Sequence, residues 1–72
     1  MREISVKGEF IRLDALLKFA GLVESGGQAK TEIQSGAVKV NGTVCTMRGK
    51  KMRPGDTAEY ENEKIIIKNA DR

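Results

Sequence analysis

The apolar residues of this chain fall into two successive rhythms, a helical one and then one of strands. Over residues 9–20, Leu13, Leu16, Leu17 and Ala20 recur at i, i+3, i+4 and i+7, the stripe of an amphipathic helix. Phe10 extends that stripe one turn earlier, and Gly21 is the natural stop. Asp14 and Lys18 form an i, i+4 pair in the favourable acid-first order, so Asp14 reads as a structural residue whose partners are Lys18 or nearby backbone donors. A second helix is predicted over residues 26–35, with Ala29 and Ile33 turned inward and Gly36 ending it. Ser25 is its N-cap, and Gln28, three residues on, completes a capping box. Gly26 and Gly27 are poor helix formers, each costing roughly 1 kcal/mol relative to Ala. Either the turn packs closely against the first helix, or a ligand needs bare backbone there.

From residue 37 the alternation is that of strands. Val38-Lys39-Val40 and Thr43-Val44-Cys45 flank Asn41-Gly42, the strongest short signal for a type I′ hairpin. A two-residue loop pairs Val40 with Thr43, Lys39 with Val44 and Val38 with Cys45, which makes Cys45 a buried thiol on the valine face. Residues 57–61 form a strand with Ala58 and Tyr60 on one face, Asn62-Glu63 turns the chain, and residues 64–68 are the last strand. Residues 65–67 read as an exposed edge able to pair with another chain. Residues 2–7, with Ile4 and Val6 on one side, read as a short edge strand, and residues 69–72 as a frayed tail. The order strand, helix, helix, antiparallel meander predicts an α+β domain: two short helices packed against a small antiparallel sheet.

Composition narrows the chemistry. With 72 residues there is room for one thin-cored domain over residues 1–72. The chain has no His and one Cys, which removes His-based acid–base chemistry, nucleophilic triads, His-containing metal sites and any internal disulfide. No catalytic residue, metal or cofactor is expected, and a reducing cytoplasm is the expected compartment. No run approaches the ~20 apolar residues of a membrane span, so no membrane partner is expected. Charge is more informative. Ten basic residues face five acidic ones over residues 1–53, a net +5, whereas three face five over residues 54–72, a net −2. Arg48, Lys50, Lys51 and Arg53 make a dense basic loop over residues 47–53. Such segregation favours an anionic partner on one side, with Glu59, Glu61 and Glu63 facing away from it. Phe10, Phe19 and Tyr60 are the only aromatics, too few for a ladder that stacks single-stranded bases.

Several short motifs then fall into one order: Arg12-Leu13-Asp14, Ala20-Gly21-Leu22-Val23, Ala29-Lys30, Gly36-Ala37-Val38-Lys39-Val40-Asn41-Gly42 and Pro54-Gly55-Asp56. Together, over residues 12–56, they resemble the RNA-binding domain named after the fourth protein of the small ribosomal subunit, the S-four domain. That domain also occurs in pseudouridine synthases, bacterial tyrosyl-tRNA synthetases and a small heat-shock RNA-binding protein. The resemblance implies an αL RNA-binding motif built from the two helices and the adjoining hairpin. It implies a non-catalytic protein that recognises structured RNA, ribosomal or tRNA-like, with a ribosomal subunit among the candidate assemblies; apart from the resemblance, a monomer is the default expectation. The family's modification enzymes carry a separate catalytic domain.

Arg12, Lys30, Lys39 and Asn41 fall on motif positions. Many members carry Ser-Arg at the start of the second helix; here Ser25 is followed by Gly26-Gly27, the SGGQAK form of a subgroup of small stand-alone members. Gly26, Gly27 and Lys30, with the exposed amides of that helix start, are expected together to replace the missing Arg at a phosphate, and Ser25 and Gln28 are expected on the same RNA surface. Lys18 and the basic loop residues Arg48, Lys50, Lys51 and Arg53 complete the expected RNA surface. Plainer readings stand beside this one: Arg12 as the partner of Glu9, Lys30 as a solvated helix lysine, Lys39 as a solvent-facing strand residue, and the basic loop as a solubility feature. The alternative function is a protein-interaction adaptor on a ribosome- or nucleic-acid-associated assembly.

Overall fold

The computed structural model describes residues 2–70. Along the chain run β1 (Arg2–Val6), β2 (Ile11–Arg12), α1 (Leu13–Phe19), α2 (Gly26–Gln34), β3 (Val38–Val40), β4 (Thr43–Val44), β5 (Lys51–Met52), β6 (Thr57–Tyr60) and β7 (Glu63–Asn69). Five strands form one sheet in the order β1-β7-β6-β3-β4, and β2 pairs with β5 in a separate two-stranded ribbon. The α+β class is as expected, but the sheet is mixed: β1 runs parallel to β7, whereas its other pairings are antiparallel. A parallel pair needs a long crossover, and both helices and the β3–β6 meander supply it. This topology also moves β7 from the rim to the interior. Ile65 and Ile67, read from sequence as an exposed edge, are fully buried between β1 and β6; the open edges belong to β1 and β4.

One face of the sheet carries the helices. Leu13, Leu16 and Leu17 of α1 and Ala29 and Ile33 of α2 share a single core with Val38, Val40, Ala58, Tyr60, Ile65 and Ile67. Both sheet hairpins use two-residue turns with left-handed backbone. Asn41 and Gly42 (φ 51° and 85°) connect β3 to β4 in the predicted register. Glu61 and Asn62 (φ 50° and 67°) connect β6 to β7 one residue earlier than the sequence suggested, so Glu63 pairs with Tyr60 instead of turning. Cys45 is half-buried at the margin of the core, more open than expected, and its amide donates to the Val38 carbonyl at 3.0 Å. The C-terminal strand continues through Asn69, opposite Val6, and the Ala70 amide donates to the Val6 carbonyl at 2.9 Å. The predicted frayed tail is therefore ordered at those two positions; 71 and 72 lie outside the described residues.

The first helix starts four residues later than its apolar stripe suggested. Ile11 and Arg12 are drawn into pairing with Met52 and Lys51, so the chain is extended up to Leu13. Arg12, at the N-cap, makes no side-chain cap, and the loop supplies one instead. The amides of Leu13 and Asp14 donate to the carbonyls of Lys50 (2.8 Å) and Arg48 (3.0 Å). Such first-turn amides have no acceptor within their own helix. Phe10 therefore lies outside the helix and outside the core.

Sheet and α2 are also tied by a polar contact. The buried Tyr60 hydroxyl donates to Glu32 Oε1 at 2.7 Å. That bond, reinforced by burial and the Glu32 charge, raises the phenol pKa from 10.0 to about 12. Because the folded value is the higher one, the contribution is complete below pH ~10 and disappears as pH rises through about 12. Tyr60→Phe is expected to cost about 1 kcal/mol at neutral pH, since Glu32 is partly solvated. The gap between wild type and variant in urea midpoint should close between pH 10 and 12; a gap independent of pH would disprove the coupling.

Candidate nucleic-acid interface

The start of α1 is where cationic groups gather. Arg12 is half exposed, and its Nη2 lies 3.1 Å from Asp14 Oδ2; the other Asp14 oxygen accepts from the Ala15 amide at 2.8 Å. Asp14 is thus structural, as read, but its ion-pair partner is Arg12 and not Lys18. Arg12, for its part, pairs with Asp14 and not with Glu9. The extension of residues 9–12 explains both: with no helix there, Glu9 has no i+3 geometry toward Arg12. An exposed pair of this kind adds little stability, and its effect here is to orient a guanidinium. The Arg12 head also lies against Gly49 of the basic loop, where a Cβ would sit 3.7 Å from Nη2. Arg12, Asp14, Ala15, Lys18 and Gly26 bound one shallow depression between the two helix N-termini.

At the start of α2, Ser25 Oγ accepts from the Gln28 amide at 3.1 Å, as predicted. The reciprocal arm differs: Gln28 Oε1 accepts from the Glu24 amide at 2.8 Å, one residue before the cap. The two glycines are not explained by packing. A Cβ at Gly26 would meet nothing within 4 Å, and one at Gly27 only Ser25 Oγ at 3.9 Å. Neither has a left-handed φ. Close packing against α1, one of the two readings of these residues, is therefore ruled out. The helix start is open, with Lys30 exposed one turn further on.

The basic segment is not a free loop. The Lys50 amide donates to the Met47 carbonyl at 3.1 Å, the Arg48 and Lys50 carbonyls cap α1, and Met52 is fully buried. Lys51 Nζ lies 5.0 Å from the centroid of the Phe10 ring, and Arg53 Cζ lies 6.0 Å from it. Residues 53–56 then form a turn with Pro54 at its second position and Gly55 (φ 97°) at its third, closed by the Asp56 amide on the Arg53 carbonyl at 2.9 Å. The Asp56 carboxyl is held below the ordinary carboxylate range. The Arg53 amide (2.8 Å) contributes most; Asn41 and the charges of Lys50 and Arg53 add to it, against a desolvation penalty.

Two motif positions stand apart from this cluster. Asn41 donates to Asp56 Oδ1 at 3.2 Å, and its oxygen accepts from the Thr57 amide at 2.9 Å, so its amide clips the hairpin to the end of the turn at 53–56 and to the start of β6. Lys39 is exposed between the buried Val38 and Val40, hence on the sheet face opposite the helices, with Glu59 beside it in register. Arg12, Lys18 and Gly26 thus border one depression, with the Gly49 backbone against Arg12. Arg48 and Lys50 reach α1 through their carbonyls, and the Lys50 charge acts on Asp56, on the hairpin side with Asn41. Ser25, Gly27, Gln28 and Lys30 continue along α2, and Lys51 and Arg53 gather at Phe10. Phe10, Phe19 and Gly49 were not among the expected site residues. Among the described residues, no group of three or more His, Cys, Asp or Glu is placed to hold a metal ion. None of the described helices is long and apolar enough to cross a membrane.

Two helices on a mixed sheet, joined to a hairpin and a cation-rich segment, define a small module of the αL type. The chain belongs to the S4 domain family, whose model matches residues 4–68. It is 40% identical over 58 residues to the probable ribosome maturation protein RlbA of Bacillus subtilis, covering 81% of this chain and 82% of that one. It is 39% identical over 61 residues to the putative RNA-binding protein YbcJ of Escherichia coli, covering 85% and 87%. The solution structure of E. coli YbcJ, described as revealing an αL motif involved in RNA binding, superposes with a TM-score of 0.72. Its identity is 36%, with 94% of this chain and 87% of that one covered.

Proposed function

We propose that this chain is a non-catalytic, monomeric RNA-binding module that grips structured RNA, ribosomal or tRNA-like, through its phosphate backbone and shape. One observation supports the reading: Arg12, Lys18 and an unobstructed α2 start border one depression, with bare glycine where a side chain would fit and Gly49 of the basic segment against Arg12. Phosphate contacts of this kind position a protein on A-form RNA without reading its sequence. The names of RlbA and YbcJ support a ribosomal or other RNA substrate. Arg12 is the central contact, oriented by Asp14, and the amides of Gly26 and Gly27 with Lys30 take the place of the arginine found in many relatives. Lys39 and Asn41 serve the fold and the outer sheet face.

The test is a competition gel shift among a structured RNA, a single-stranded RNA and duplex DNA of equal charge, across a salt series. Preference for the structured RNA is expected. Indifference to all three at low salt would favour docking on an acidic protein instead. Within that assay, Lys30→Ala should weaken binding and make the slope of log K against log salt shallower by about one unit. An unchanged slope would reduce Lys30 to a solvated helix residue.

A further inference from the structure

Two of the three aromatic side chains escape the core. Phe19, the last residue of α1, is 67% exposed, and Phe10, just before β2, is 38% exposed. They line one shallow groove with Ser5, Val6, Lys7 and Ile11. Its floor is apolar, but its surroundings are cationic. Lys7 lines it, and Lys51 and Arg53 flank the Phe10 ring. Lys51 is the register partner of Arg12, so the cations at the Phe10 ring are next to the strand that carries Arg12. This combination selects an occupant. An apolar protein segment would leave three cations unmatched. An unstacked nucleobase offers a flat π-face to an aromatic ring and a phosphate on either side to the cations.

We propose that the groove between Phe10 and Phe19 is a stacking site for one unpaired base of the bound RNA. Phe19 is the open platform. Phe10 is the wall, and Lys7, Lys51 and Arg53 hold the phosphates that flank the base. The inference rests on the RNA-binding reading above and adds one element to it: recognition of a bulge or loop next to a helical stem.

The test uses the full chain and three RNA duplexes of identical stem. One is fully paired, one carries a single bulged 2-aminopurine, and one carries an abasic nucleotide at the same place. The bulged base should bind about 5-fold or more tighter than the abasic duplex of equal charge, within the range of base–aromatic stacking. Its fluorescence should change on binding. Phe19→Ala should abolish both effects while affinity for the paired duplex stays within about twofold, and Phe19→Tyr should retain them. Equal binding of base and abasic duplexes with a normal salt slope overturns the stacking site and leaves the RNA-binding reading standing. An unaltered preference in Phe19→Ala also overturns it and places recognition of the bulged base elsewhere on the molecule. Failure of all three duplexes to bind at low salt overturns both readings.

Discussion

Arg12→Glu should lower affinity for structured RNA by about 1–3 kcal/mol, the largest single-residue effect expected on binding. The Arg12 side chain touches both halves of the cationic surface. It borders the depression at Gly26 and Lys18, and its head lies against Gly49 in the basic segment. The substitution removes that bridge and sets a second carboxylate beside Asp14, so the depression changes sign. Arg12→Lys should recover only part of the loss, because a point charge cannot keep the Asp14 bond and present a second planar edge to phosphate. The side chain is exposed and its ion pair is a surface one, so the melting temperature should hardly move. Salt-dependent binding and thermal denaturation measured together separate the outcomes. Unchanged affinity with an unchanged melt would place the RNA contact elsewhere on the molecule.

What could be read from the sequence, and what could not, divides along the range of the interactions. The α2 cap at Ser25 and the turn at Asn41-Gly42 are local: the residues that specify them also form them. The stripe of Leu13, Leu16 and Leu17 is likewise a property of one helix. The departures are long-range. The helical spacing of Phe10 is real, yet residues 11 and 12 pair with residues 51 and 52, and no local pattern announces a two-residue ribbon. The burial of Ile65 and Ile67 depends on β1 returning beside β7, a contact between the two ends of the chain. The site follows the same division. Motif spacing singled out Arg12, Lys30, Lys39 and Asn41 as candidates, and Gly26-Gly27 stood out as a departure from the motif. That Asn41 is spent on Asp56 and Thr57, and that Lys39 faces away from the helices, required the sheet register.

Met52→Ala is expected to be the most damaging of these substitutions to stability, at about 2–5 kcal/mol. Its neighbour Met47 should tolerate the same change within ~0.5 kcal/mol. Both lie at the ends of one cationic run and composition cannot tell them apart, but Met52 is fully buried and Met47 is 65% exposed. A domain this small has a total stability on the order of 5–10 kcal/mol, so the first loss is a large fraction of the whole. The loss also has a local component. Met52 anchors the strand opposite Ile11, and the two carbonyls that cap α1 belong to the segment it anchors. Loosening that anchor frees the Leu13 and Asp14 amides and removes the surface on which Arg12 rests. Hydrogen exchange at those two amides should therefore accelerate more in Met52→Ala than exchange in β6 or β7, and RNA affinity should fall while most of the domain is still folded. Met52→Leu, which nearly conserves volume, should restore both. If β6, β7 and the α1 amides accelerate equally, the basic segment is no separate unit, and Met52 acts on binding only through global unfolding.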